Sequence, residues 1–144
     1  MTSSLHVTFR VATAEYVVPA AQVLHLESFE TATHVPGAAR HVAGLVHVRG
    51  RVVPVVDLRA RFGLPPTAHA LDHRVVVVQL GARIAGLLVD SAREVIQIDD
   101  ASFQDAPELI KQQASGFVTG VVTVRDRLFL LVDVSRVIEQ ELAK

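Results

Sequence analysis

Cysteine and tryptophan are absent from the chain, and tyrosine and methionine occur once each. The first absence removes disulfides, thiolate nucleophiles and cysteine-ligated metals, and fits a reducing compartment. Aromatics make up 5% of residues, with most of the six phenylalanines inside apolar runs, which leaves few platforms for stacking nucleic-acid bases. Neither sign of charge is in excess: a net charge of −1 supplies no global field for nucleic acid or an anionic membrane. Long apolar runs are missing too, since "VVVV" (75–78) and "LFLLV" (128–132) fall far below a membrane-spanning length. The opening "MTSSLHVTFR" lacks the basic-then-apolar order of a secretory signal, so the expectation is a soluble, cytoplasmic protein without direct membrane insertion.

What is present is valine. Half the residues are apolar, and a β-branched excess fits pleated sheets better than helices. Short apolar runs separated by turn signals predict ten strands: 5–12, 15–18, 22–28, 43–49 and 52–56, then 73–80, 83–89, 93–98, 117–124 and 128–132. At 144 residues the chain is expected to form one domain, 1–144, with a real core.

The chain also repeats itself. "VAGLVHVRGRVVPVVDL" (42–58) returns 76 positions later as "VTGVVTVRDRLFLLVDV" (118–134), identical at eight of 17 positions. Gly50 in "VRGR" and Asp126 in "VRDR" tolerate positive φ, so each motif is predicted to be a hairpin tip; Gly81 in "LGAR" marks another. A weaker echo pairs "QVLHL" (22–26) with "EVIQI" (94–98). The halves so defined cover about 15–65 and 70–134, with 63–72 as linker and the N-terminal strand and C-terminal helix packing across both. "LRARF" before Gly63 and Pro65-Pro66 predicts a short helix, and "SRVIEQELA" places Val137, Ile138 and Leu142 at helical spacing.

Catalytic chemistry finds little support. Asp57 and Asp133 invite comparison with a twofold carboxylate pair, yet "VVDLRARF" and "LVDVSRVI" lack the small hydroxyl neighbours that admit substrate and water. Capping of the following helical turn is the preferred reading for both. Seven histidines (His6, His25, His34, His41, His47, His69 and His73) show no metal-ligand spacing, so no metal or other cofactor is expected; they are read as dispersed surface or half-buried side chains. Arg49, Arg51, Arg59 and Arg61 cluster in sequence and keep a small-barrel nucleic-acid binder open beside an aspartyl hydrolase built on Asp57 and Asp133, although a solvated or partner-facing arginine group is preferred.

"LVHVRGRVVPVVDLRARFGL", "RVVVVQLGARIAGLLVDSAREVIQI", "DAPEL" and "FVTGVVTVRDRLFLLVDVSRVI" together resemble the CheW family in order and spacing over nearly the whole chain. The resemblance implies a mostly β fold of two intertwined five-stranded small barrels sharing a core, with short helices and a C-terminal helix. It implies a non-enzymatic scaffold that couples the cytoplasmic tip of a chemoreceptor to the regulatory domain of a CheA-type histidine kinase. An adaptor diverted to gliding or twitching motility, keeping one partner, is the alternative. Two similar ends suit head-to-tail ring assembly, and a groove between the halves would take one amphipathic helix.

Carried over singly, the receptor-contacting positions fall on Val23, His25, Gly44, Arg49 and Gly86, and the kinase interface on Gln104 and Leu109. Four residues depart from the family pattern: His25 for an acidic residue, His47 for Asn, Ser91 for Gly and Gln104 for Arg. The loss of a carboxylate at position 25 is expected to remove a charge-assisted hydrogen bond to a basic partner and to alter receptor choice.

Overall fold

The computed structural model describes residues 2–67, 72–113 and 116–142. In chain order its elements are β1 (Ser3–Val11), β2 (Ala14–Pro19), β3 (Val23–Ser28), β4 (Val42–Val48), β5 (Arg51–Asp57), α1 (Leu58–Arg61), β6 (Arg74–Leu80), β7 (Arg83–Val89), β8 (Ser91–Asp99), β9 (Gln104–Asp105), α2 (Glu108–Gln113), β10 (Val118–Val124), β11 (Arg127–Val132) and α3 (Val134–Leu142). All ten expected strands are present. The short edge strand β9 and the helix α2 were not expected, and they interrupt the connection between the eighth and ninth predicted strands. His69 and the middle of the 63–72 segment lie outside the described residues.

The strands form two sheets, ordered β8-β1-β2-β11-β10-β9 and β3-β6-β7-β5-β4. The sheets therefore do not divide the chain at the segment between β5 and β6. The β1–β2 hairpin pairs antiparallel with β8 and parallel with β11, while the β6–β7 hairpin pairs antiparallel with β3 and parallel with β5. Each half has thus given its first hairpin to the other's sheet, and the repeat survives as two sheets of the same order. The physical reason is that both hairpins carry the same two-residue alternation, so either fits the same slot.

The exchange also fixes which residues are equivalent. Val17 lies opposite Thr8 and Leu131 in one sheet, and Gly86 lies opposite Val77 and Val55 in the other. Thr8 in turn faces Glu94, and Val77 faces His25. His25 therefore corresponds to Glu94, which moves the weaker echo by three positions from its expected alignment: Leu26, not Val23, corresponds to Val95.

A central apolar cluster between the sheets takes Phe9, Val18, Val56, Leu87 and Val132 from both and Leu58 from α1, with Val137 and Ile138 of α3 sealing it. Each sheet curls around a smaller cluster of its own: Val48, Val53, Val55, Val75, Val77 and Leu88 in the β3-to-β4 sheet, and Val17, Ile98, Val122 and Phe129 in the other. The two hairpin tips are built alike, with φ of 50° and 81° at Arg49 and Gly50, and 52° and 65° at Arg125 and Asp126. Positive φ at both central residues is the turn whose twist matches paired strands. Two histidines depart from expectation: His6 and His73 are buried. Among the described residues no helix is long and apolar enough to cross a membrane.

Candidate partner-binding site

The repeated aspartates are helix caps. Asp57 Oδ1 accepts the Arg59 N–H at 3.0 Å, and Asp133 Oδ1 accepts the Ser135 N–H at 3.1 Å and the Ser135 hydroxyl at 2.6 Å. Their own N–H groups donate at 2.8 Å to the carbonyls of His41 and Phe117, which sit at equivalent points of the repeat. Both carboxylates thus satisfy free N–H groups at the start of a helix. Among the described residues no group of His, Cys, Asp and Glu is arranged to hold a metal.

The arginine cluster of the sequence is dispersed. Arg59 Nε and Nη2 donate to the two oxygens of Asp90 at 2.9 and 2.6 Å, and Asp90 Oδ2 also accepts the N–H of Ala12, whose φ is 56°. This clasp ties α1 to the crossing between the sheets. Burial alone would push the Asp90 carboxyl up, but the paired guanidinium and the Ala12 N–H outweigh it and hold the group below its ordinary value. Arg61 is buried, donates to the carbonyl of Val137 at 3.1 Å and lies 4.6 Å from the centroid of Phe117. Arg49 and Arg51 line a surface recess together.

That recess, about 310 Å³, opens at the tip of the β4–β5 hairpin. Its floor is Val48, Val53, Val77 and Ile84, and His25, Arg49 and Arg51 stand at its rim with Leu24 and Gln79. Arg49 Nε donates to Glu27 Oε2 at 3.2 Å, which ties β4–β5 to the far edge strand β3. The carboxylate missing at position 25 is therefore supplied two residues later, on the same face of β3. Beyond Glu27 a second pocket of about 430 Å³ carries Glu27, Glu30 and His47.

The expected receptor positions come together only in part. His25 and Arg49 line one recess, but a bulge between Val23 and His25 turns Val23 the other way, against the central cluster. Gly86 is buried beneath the recess, where an added Cβ would meet Val75 Cγ1 at 2.5 Å. Gly44, with φ of 143°, lies so close to the Thr33 carbonyl that an added Cβ would fall 2.3 Å from its oxygen. Both glycines permit close backbone approach. Leu24 and Leu26, 42% and 45% exposed, were not singled out by the sequence, whereas Arg51 was, within the arginine cluster, and it repeats at Arg127.

At the far edge of the other sheet, Gln104 is exposed on β9 and pairs with Val121 of β10. Leu109 on α2 is 64% exposed, whereas its neighbour Ile110 packs on the central cluster.

Two sheets with exchanged hairpins, a basic-rimmed recess on one and an exposed leucine beside the edge of the other, are the features that any class assignment has to fit. The chain belongs to the CheW family: the CheW-like domain model matches residues 5–142. It is 30% identical to the chemotaxis protein CheW of Rhizobium meliloti, over 94% of this chain and 87% of that one, and 29% identical to the chemotaxis protein CheW of Bacillus subtilis, over 94% and 86%. Among solved structures, the scaffolding protein TtCheW of Thermoanaerobacter tengcongensis superposes with a TM-score of 0.84 at 27% identity, covering 92% of this chain and 90% of that one.

Proposed function

We propose that the protein is a non-enzymatic cytoplasmic adaptor that couples a chemoreceptor to a CheA-type histidine kinase. The observation that carries this reading is membership of the CheW family over nearly the entire chain, together with likeness to a solved scaffolding protein. Two features on different sheets support a two-partner role. His25 and Arg49 at the first recess are the receptor side, with Gly44 and Gly86 shaping the strands behind it and Val23 bracing β3 from the core. Gln104 and Leu109 at the second sheet's edge are the kinase side.

Reconstitution tests the reading. The full chain is mixed with a chemoreceptor tip fragment and the regulatory domain of the CheA-type kinase from the same host, and the complexes are resolved by sedimentation. A ternary complex is expected, with Arg49→Glu losing the receptor and Leu109→Asp losing the kinase. Recovery of the kinase alone with wild-type protein would replace the reading with an adaptor that keeps one partner.

A further inference from the structure

The exchanged-hairpin symmetry gives the two sheets equivalent hairpin tips, one carrying Arg127 and the other Arg51. In the β8-to-β9 sheet, Arg127 is clamped: its Nε and Nη2 donate to the carboxylate of Glu15 at 3.1 and 2.9 Å, and Nη1 pairs with Glu94 at 2.7 Å. Arg10 adds a second cation 3.6 Å from Glu15. The Arg127 guanidinium lies 4.9 Å from the centroid of Phe129, which fills the space beneath it.

Strand register names the counterparts in the other sheet. Arg51 stands for Arg127, Ile84 for Glu15, His25 for Glu94, Gln79 for Arg10 and Val53 for Phe129. Both carboxylates have gone, and the phenyl ring has shrunk to an isopropyl group. The retained Arg51 and the four substitutes around it all line the 310 Å³ recess. Among the described residues no carboxylate pairs with Arg51, while Arg49 beside it is engaged with Glu27.

We propose that this recess binds a carboxylate side chain presented on the apolar face of a receptor helix, the incoming acid taking the place that Glu15 and Glu94 occupy around Arg127. The proposal rests on the receptor-adaptor reading above. Charge complementarity commits the occupant: a guanidinium above an apolar floor receives a carboxylate through paired N–H donors. The apolar neighbours of the acid on the helix are received by Val48, Val53 and Ile84 below and by Leu24 at the rim. A basic side chain would meet Arg49, Arg51 and His25 and is excluded, in line with the loss of the carboxylate at position 25.

The test is a titration of the full chain with the chemoreceptor tip fragment, repeated with Arg51→Glu and Arg51→Lys and at two salt concentrations. Arg51→Glu is expected to weaken binding at least about tenfold, and Arg51→Lys by a smaller factor, because lysine keeps the charge and loses the paired geometry. The wild-type affinity is expected to fall with salt more steeply than that of Arg51→Glu. Melting of Arg51→Glu within about 2 °C of wild type is expected, since the side chain is exposed.

Wild-type protein that fails to bind the fragment would overturn the receptor reading and this proposal together. Wild-type binding that Arg51→Glu leaves within about twofold would overturn the acidic-recess proposal alone. A parallel titration with the kinase regulatory domain fixes the occupant: weakening there, with receptor binding intact, would also overturn it.

Discussion

The two hairpin ends share a turn geometry and a pair of arginines, and they use the pair in opposite ways. In the β10–β11 hairpin the second arginine, Arg127, is spent inside the molecule on Glu15 and Glu94, and its guanidinium is raised above its ordinary value first by the Glu15 hydrogen bonds and then by those of Glu94. In the β4–β5 hairpin the first arginine, Arg49, is the one tied down, by Glu27, and Arg51 is left at the rim of a recess. Duplication supplies the same scaffold twice. Four side-chain replacements around an unchanged arginine then turn one copy from a self-satisfied cluster into a surface that lacks its anion.

Breaking the backbone side of this comparison gives the largest effect. Gly44→Ala places a Cβ against the Thr33 carbonyl at a φ of 143°, whereas its counterpart Gly120→Ala meets the Gln104 carbonyl oxygen at 3.1 Å without such a φ. Overpacking and strain together are expected to cost Gly44→Ala roughly 4 kcal/mol, against about 1 kcal/mol for Gly120→Ala. Urea denaturation of both variants measures the difference.

The clasp is one-sided in the same way: Ser135 stands where Arg59 does, and its hydroxyl donates to Asp133 instead. Asp90→Asn is expected to cost about 2 to 4 kcal/mol, because it leaves Arg59 half-buried without its anion. The folded Asp90 carboxyl titrates below the unfolded value of about 3.9, so its contribution is complete above that pH and disappears as pH falls through the lower folded value. Acid unfolding of Asp90→Asn is therefore expected to lose part of the pH dependence seen in the wild type below about pH 4.

Smaller effects separate the arginines. Arg127→Ala is expected to destabilise by about 1 kcal/mol, held to that by solvent screening at its exposed end, and Arg51→Ala to stay within about 0.5 kcal/mol. Arg49→Glu breaks an exposed ion pair worth less than about 1 kcal/mol, so its melting temperature is expected to move little while receptor binding falls. A collapse in stability on Arg49→Glu would make the residue structural and withdraw its binding role.

Much of the fold was legible because valine alternation, positive-φ turn residues and the 76-position repeat each report locally on strands and tips. The exchange of hairpins was not legible: β1–β2 and β6–β7 present the same alternation, and nothing along the chain says which sheet each will enter. β9 escaped because two residues carry no periodicity. Among the expected receptor positions, Arg49 and His25 line one recess, and Val23 packs on the central cluster because a bulge resets the alternation after it, which no local pattern announces. The correspondence of Arg51, Ile84 and His25 with Arg127, Glu15 and Glu94 was hidden, since it depends on register between strands far apart in sequence and on an echo displaced by three residues.

The most direct measurement rebuilds the second copy's cluster in the first. His25→Glu and Ile84→Glu together give Arg51 the two carboxylates that Arg127 already has. Titration of this double variant with the chemoreceptor tip fragment is predicted to show receptor affinity lowered at least about tenfold, with binding to the kinase regulatory domain unchanged as the sign of an intact fold. Receptor affinity equal to that of the wild type, with Arg51 so occupied, would contradict the account.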